Sequence, residues 1–132
     1  MKFKYKSFGE TLRPVIPITL IHKGVSVESE AIVDSGSDHC FFDAEVGNSL
    51  GITTSNSEIK EVFGIGGNAS LYYVHPVKVR LGDTLLDIKA GFVSKIGGQV
   101  FRYGVLGQEG FFDRFVVRFD LSKEMVELKE IK

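Results

Sequence analysis

Short apolar stretches, each cut off by a glycine, a proline or an aspartate turn, succeed one another along nearly the whole chain, and this punctuation limits what it can fold into. Runs of this length suit strands, and strands closed by tight turns pair with their neighbours. Val15 to Ile21 is one such run, and Pro14 and Pro17 place it near a sheet edge, because proline cannot donate to a central ladder. Lys23-Gly24 turns the chain into a second strand, where Val25 and Val27 alternate with Ser26 and Glu28 before the pattern becomes continuously apolar at Ala31-Ile32-Val33. Asp43 then reads as the N-cap of a short helix through Leu50, with Glu45 in its first turn, Gly51 at its stop and Gly47 inside it. Strands follow at Ile59 to Phe63, Leu71 to Leu81 and Leu85 to Val93, the last two joined at Gly82-Asp83. Val105-Leu106 is a short buried strand ended by Gly107, after which Gln108 to Asp113 forms one helical turn and Phe115 to Phe119 and Met125 to Leu128 form two more strands. The expected fold is mostly β, a closed barrel or sandwich of many short strands.

Composition narrows the function. With 132 residues the chain is expected to form one domain, residues 1–132, with a core of its own. Acids and bases are mixed and sum to a formal charge of -1, so there is no basic stripe for a phosphate backbone and nucleic acid is not an expected partner. The single Cys40 excludes an internal disulfide and any multi-cysteine metal site, which favours a cytoplasmic address. Met1 to Lys6 alternates charges with aromatics instead of building the apolar core of a signal peptide, and no later segment has the length of a membrane span. A soluble protein without a membrane partner is expected. Asn68-Ala69-Ser70 matches a glycosylation acceptor only formally.

Three constellations stand out. Asp34-Ser35-Gly36-Ser37 closes the Ala31-Ile32-Val33 run and precedes Phe41-Phe42, which would tether one carboxylate inside a core. Taken alone the tetrapeptide is an ordinary turn, since aspartate and serine bond local backbone. A carboxylate at the mouth of an apolar strand is hard to ionise unless it accepts hydrogen bonds. The second constellation, Val62-Phe63-Gly64-Ile65-Gly66-Gly67-Asn68, is a glycine-rich hairpin tip between strands. Its Gly64-x-Gly66-x-x-Ala69 spacing lacks the helix that dinucleotide binding requires, because Leu71 to Pro76 is strand-like. The third is Tyr103-Gly104-Val105-Leu106-Gly107-Gln108, where Gly107 admits close contact with another backbone. Asp38, His39 and Cys40 cannot converge on a metal from an extended segment, and His22 and His75 read as isolated. No serine sits in a Gly-x-Ser-x-Gly elbow.

In this order, over roughly residues 13 to 128, the three segments resemble the retropepsin-like aspartic proteases, and Gly110-Phe111-Phe112-Asp113 followed by a strand is similar to the bacterial and cellular single-domain members. The resemblance implies a closed acid-protease β-barrel with one or two short helices, working as a homodimer without a cofactor. It implies that Asp34 is the catalytic carboxylate, that Ser35 bonds across a two-fold axis, that Gly36 lets backbone approach substrate, and that Ser37 touches the outer carboxylate oxygen. Phe63, Gly64, Ile65, Gly66 and Gly67 would form a flap, Ile32, Phe41, Tyr103 and Val105 would line apolar pockets, and Asp38 would bind substrate backbone. Viral members carry an arginine after the glycine of the third motif, paired with that aspartate; here Gln108 stands there and Asp38 lacks that partner.

Aspartic protease chemistry needs two carboxylates sharing one proton, one activating water and the other donating to the scissile carbonyl. The chain has one such motif, since Asp83-Thr84 continues with Leu85, so the second carboxylate would come from a symmetric copy. Two charges ~3 Å apart at an effective dielectric of ~20 repel by about 5 kcal/mol, so the pair retains a proton and a bell-shaped, acid-leaning pH profile is expected. Lys2, Lys4 and Lys6 near one terminus and Glu124, Glu127 and Glu130 near the other would favour mixed terminal pairing between subunits. The expected function is endopeptidase cleavage of extended, largely apolar peptides, with a catalytically idle peptide-binding or assembly module of the same fold as the alternative.

Overall fold

The structure, a computed structural model, describes residues 1–63, 69–94 and 103–132. The strands are β1 (Lys2–Lys4), β2 (Lys6–Phe8), β3 (Thr11–Arg13), β4 (Val15–His22), β5 (Val25–Val33) and β6 (Phe41–Asp43), then β7 (Glu58–Phe63), β8 (Ala69–Leu81), β9 (Thr84–Val93), β10 (Gly104–Leu106), β11 (Phe115–Asp120) and β12 (Met125–Glu130). One α-helix, α1 (Ala44–Ser49), short 3-10 turns at Thr54–Asn56 and Leu121–Lys123, and one π-type helical turn at Gln108–Phe112 complete the described elements. The hairpin-rich middle and the single short helix match the sequence expectation.

Strands β4, β5, β10, β6, β9 and β8 pair in that order, and β8 pairs back onto β4, which closes a six-stranded barrel; β7 extends β8 as a hairpin arm. Closure confines the expected edge character of β4 to its first half. Its second half lies between two neighbours, with Thr19, Leu20 and Ile21 opposite Arg80, Val79 and Lys78, while its first half pairs only with β5. Val33 N–H donates to the Pro14 carbonyl at 2.9 Å, so even-numbered positions of β4 bond β5 and odd-numbered Pro17 turns its missing N–H toward the open side. Pro76 obeys the same rule in β8. It falls between Val74, the last partner of β7, and Lys78, the first partner of β4.

Closure also brings together the histidines that looked isolated. His22 at the end of β4 and His75 in β8 meet edge to face with centroids 4.9 Å apart.

Asp43 caps α1 by accepting from Glu45 N–H at 2.8 Å, and the chain leaves the helix through Gly51 at φ +79°. Gly47 is explained by packing: a side-chain carbon there would lie 2.8 Å from Phe92 Cδ1. The barrel interior is filled by Ile16, Leu20, Phe42, Val79, Leu81, Phe92 and Leu106, each at most 1% exposed, and no polar or charged residue is buried among the described residues. Within this set no helix is long and apolar enough to cross a membrane.

The terminal strands form a second sheet in the order β1-β12-β11. The mixed pairing expected between subunits is made inside the chain, with Lys2 opposite Glu127 and Phe3 opposite Val126. Strands β2 and β3 form a small separate hairpin that sequence reading left unassigned.

Candidate active site

The candidate site begins where β5 leaves the barrel. Ala31 and Val33 point into the core, and β5 ends one residue before Asp34. Asp34, Ser35, Gly36 and Asp38 are exposed and Ser37 is half-buried. This corrects the expectation of a carboxylate tethered inside the core: the apolar strand is buried, but the loop turns outward, so the carboxylate of the single chain meets solvent. Its oxygens are also served locally, since Gly36 N–H donates to Asp34 Oδ1 at 2.9 Å. The loop folds back on itself through Ser37 N–H to the Asp34 carbonyl at 3.2 Å. Ser37 Oγ donates its one proton to the His39 carbonyl at 2.8 Å, and that proton is therefore not directed to Asp34.

The third motif holds this loop from behind. β10 runs parallel to β5 with Leu106 beside Val33, and Asp34 N–H donates to the Leu106 carbonyl at 3.0 Å. Gln108 N–H donates to the Ser37 carbonyl at 2.8 Å and Glu109 N–H to the Asp38 carbonyl at 2.9 Å. The Gln108 side chain adds a bond from Nε2 to the Ser35 carbonyl at 2.7 Å. Gly107 makes this approach possible, because a side-chain carbon there would sit 2.3 Å from the His39 oxygen and 2.6 Å from the Ser37 oxygen. The expected helical turn is present as a single wide π-type turn over Gln108–Phe112, closed by Phe112 N–H to the Gly107 carbonyl at 3.2 Å and Asp113 N–H to the Gln108 carbonyl at 3.1 Å. Gly110 lies at φ +104°, where its N–H meets the Asp113 carboxylate, and this interrupts an α-helical path.

Ile32, Val105 and Phe41 stand side by side across β5, β10 and β6, and all three are half-buried. They make one apolar strip beside the Asp34 loop, which continues through the edge-to-face contact of Phe41 with Tyr72 at 5.2 Å. Tyr103 packs edge to face on Phe8 at 4.8 Å. Beyond Phe41 the surface becomes charged: His39, Glu58, Lys60, Tyr72, Lys89 and Glu109 border a cleft of about 160 Å³, with His39 Nδ1 3.4 Å from Glu109 Oε2. The backbone of Phe63 ends β7, and Gly64, Ile65, Gly66 and Gly67 lie outside the described residues.

Two residues matter here that sequence reasoning did not place in the site. Gln108 was legible only as a departure from the viral pattern. Cys40 is fully buried; its Sγ accepts from Gly107 N–H at 3.4 Å and lies 3.5 Å from the Glu109 carbonyl it donates to, so it braces the same turn. Burial pushes its thiol up to about 11, with the Gly107 N–H opposing and the negative charges of Asp113 and Glu109 reinforcing the shift. No signal short of the fold distinguished this thiol from a reactive one. Among the described residues no group of three or more histidine, cysteine, aspartate or glutamate side chains is placed to hold a metal.

A family model described as aspartyl protease matches residues 17–109, which span β4 through the clamping turn. Among solved structures, the chain is similar to a retropepsin-like aspartic protease from Rickettsia conorii, at TM-score 0.65 and 16% identity, over 96% of this chain and 97% of that one. It is also similar to EIAV protease complexed with the inhibitor HBY-793, at TM-score 0.56 and 13% identity, over 78% of this chain and 88% of that one. At these identities the two structures establish the barrel fold. No curated protein matches the chain significantly.

Proposed function

Since this chain belongs to the aspartyl protease family and has a retropepsin-like fold, we propose that it is an aspartic endopeptidase completed by a second copy of itself. The observation that carries this reading is Asp34, an exposed carboxylate at the mouth of a buried strand, on a loop held by backbone bonds from Leu106 to Glu109. A loop so fixed can meet its symmetric equivalent without rearranging, and two such carboxylates at one axis share a proton. One then takes a proton from the attacking water while the other hands its proton to the scissile carbonyl oxygen.

Within that reading Ser35 bonds across the axis, Gly36 and Ser37 shape the loop, and Asp38 meets substrate backbone. Ile32, Phe41, Tyr103 and Val105 receive apolar side chains, and Phe63, Gly64, Ile65, Gly66 and Gly67 serve as a flap over the peptide. The reduced single thiol suits a cytoplasmic setting, and the whole of residues 1–132 acts as one domain.

Incubation of the protein with an unfolded polypeptide, beside the Asp34→Asn variant, tests the proposal. Cleavage by the parent and none by the variant, at unchanged thermal stability, is the expected result. Cleavage that survives the substitution would refute it, and a folded parent that binds the polypeptide without cutting would favour a peptide-binding module instead. Sedimentation should show a dimer at working concentration or on adding a peptide substrate.

A further inference from the structure

The peptide unit joining Ser35 to Gly36 is bonded at both ends. Its carbonyl oxygen accepts from Gln108 Nε2 at 2.7 Å, and its N–H, that of Gly36, donates to Asp34 Oδ1 at 2.9 Å. Hydrogen bonds in series through one amide polarise each other: a donor pulling density onto the oxygen makes the N–H at the other end a better donor. We propose that Gln108 is a positioning residue for Asp34, acting through the Ser35–Gly36 peptide to hold the carboxylate in place.

Geometry gives Gln108 this role and not a generic one. Its main chain is already anchored by N–H to the Ser37 carbonyl at 2.8 Å, so the side chain is not needed to attach the turn to the loop. What the side chain adds is a single neutral donor aimed at a single carbonyl. The carboxamide brings no charge, so the pull on Asp34 passes through the peptide and not through space. The other titratable groups on these two segments, Asp38 and His39 on the loop and Glu109 and Asp113 on the turn, are unchanged by a substitution at position 108. Gln108 is exposed, and replacing it removes no core packing.

The inference rests on Asp34 being the working carboxylate, and its test separates the two claims. Two variants that add no charge are compared with the parent: Gln108→Met, which keeps the volume and loses the donor, and Gln108→Leu, which loses the donor on a shorter side chain. The first readout is independent of activity: the Gly36 amide proton is read by NMR at one pH. In both variants its resonance should lie upfield of the parent's, because the Ser35–Gly36 peptide is no longer polarised at its oxygen. An unshifted Gly36 amide in either folded variant would overturn the inference; if the Met variant fails to fold, the Leu variant carries the same comparison.

The second readout is the kinetics of peptide cleavage. In both variants kcat should fall about threefold with KM little changed, since substrate contacts are kept and only the carboxylate is less well held. A loss carried by KM alone, or a parental kcat, would mark Gln108 as merely structural and refute the assignment. A parent that cuts no peptide refutes the protease reading while leaving the Gly36 amide shift decisive for Gln108.

Discussion

Gly107 passes so close beneath His39 that a side-chain carbon on it would stand 2.3 Å from the His39 carbonyl oxygen. Both partners are main chain, and neither can rotate aside. Gly107→Ala should therefore displace the Asp34 loop from the turn that clamps it, destabilising the protein by about 3 kcal/mol and removing peptide cleavage. Denaturant unfolding and a cleavage assay check this; a folded variant with parental activity would contradict it.

Gly47 poses the milder version of the same problem. Alanine in a helix is favoured over glycine by about 1 kcal/mol, but here its methyl group would lie 2.8 Å from the Phe92 ring in a fully packed core. Overpacking of this kind costs about 1–3 kcal/mol, so clash outweighs propensity. Gly47→Ala should lower Tm, and a rise would show that the ring yields freely.

Cys40 should behave as an inert thiol. With its ionisation pushed up to about 11 and its side chain fully buried, it should resist a thiol reagent at pH 8 and react at once after unfolding. The same shift has a stability consequence. The unfolded thiol ionises from about 9, the folded one only near 11, so this contribution is full below the lower value and lost as pH rises through the window. Two units correspond to about 3 kcal/mol as an upper bound. Cys40→Ala should flatten that alkaline decline, measured by denaturant midpoints at pH 8 and 10.5.

His22 should weaken the fold on the acid side. Burial holds its ring below the ordinary value of 6.5, and the neighbouring His75 and Lys23 add to the effect; Lys78 and Asp87 border the same recess. The unfolded chain takes up this proton first, so stability declines as pH falls below about 6.5 and levels once the folded ring is also protonated. Tm should drop between pH 7.5 and 5.5, and His22→Gln should narrow the drop. An unchanged drop would assign the effect elsewhere.

Much of the fold was legible because it depends on local pattern. The runs at Val15, Leu71 and Leu85 became strands where turn residues said they should, and Lys23-Gly24 joined β4 to β5 as a two-residue hairpin with both φ values positive. The three-residue strands β2 and β3 were not legible as elements, since each lacks an apolar run and takes its place from its partner, whereas β1 was legible through the charges it sets against the other terminus. The helical turn after Gly107 was legible from composition, but its wide, kinked path was not, since that follows from Gly110 and the Asp113 carboxylate.

The candidate site divides along the same line. Asp34 at the end of β5, and Gly107 as a point of close approach, followed from residue order alone, because an aspartate turn and a missing side chain act on their own backbone. Sequence by itself determined the run of strands, the turns between them and the one carboxylate worth following. Tertiary structure alone decided that β4 meets β8 to close the barrel, that His22 meets His75, that the Asp34 carboxylate faces solvent, and that Gln108 reaches Ser35. Those relations join residues up to 73 positions apart, and no local pattern encodes which distant groups a closing sheet will bring face to face.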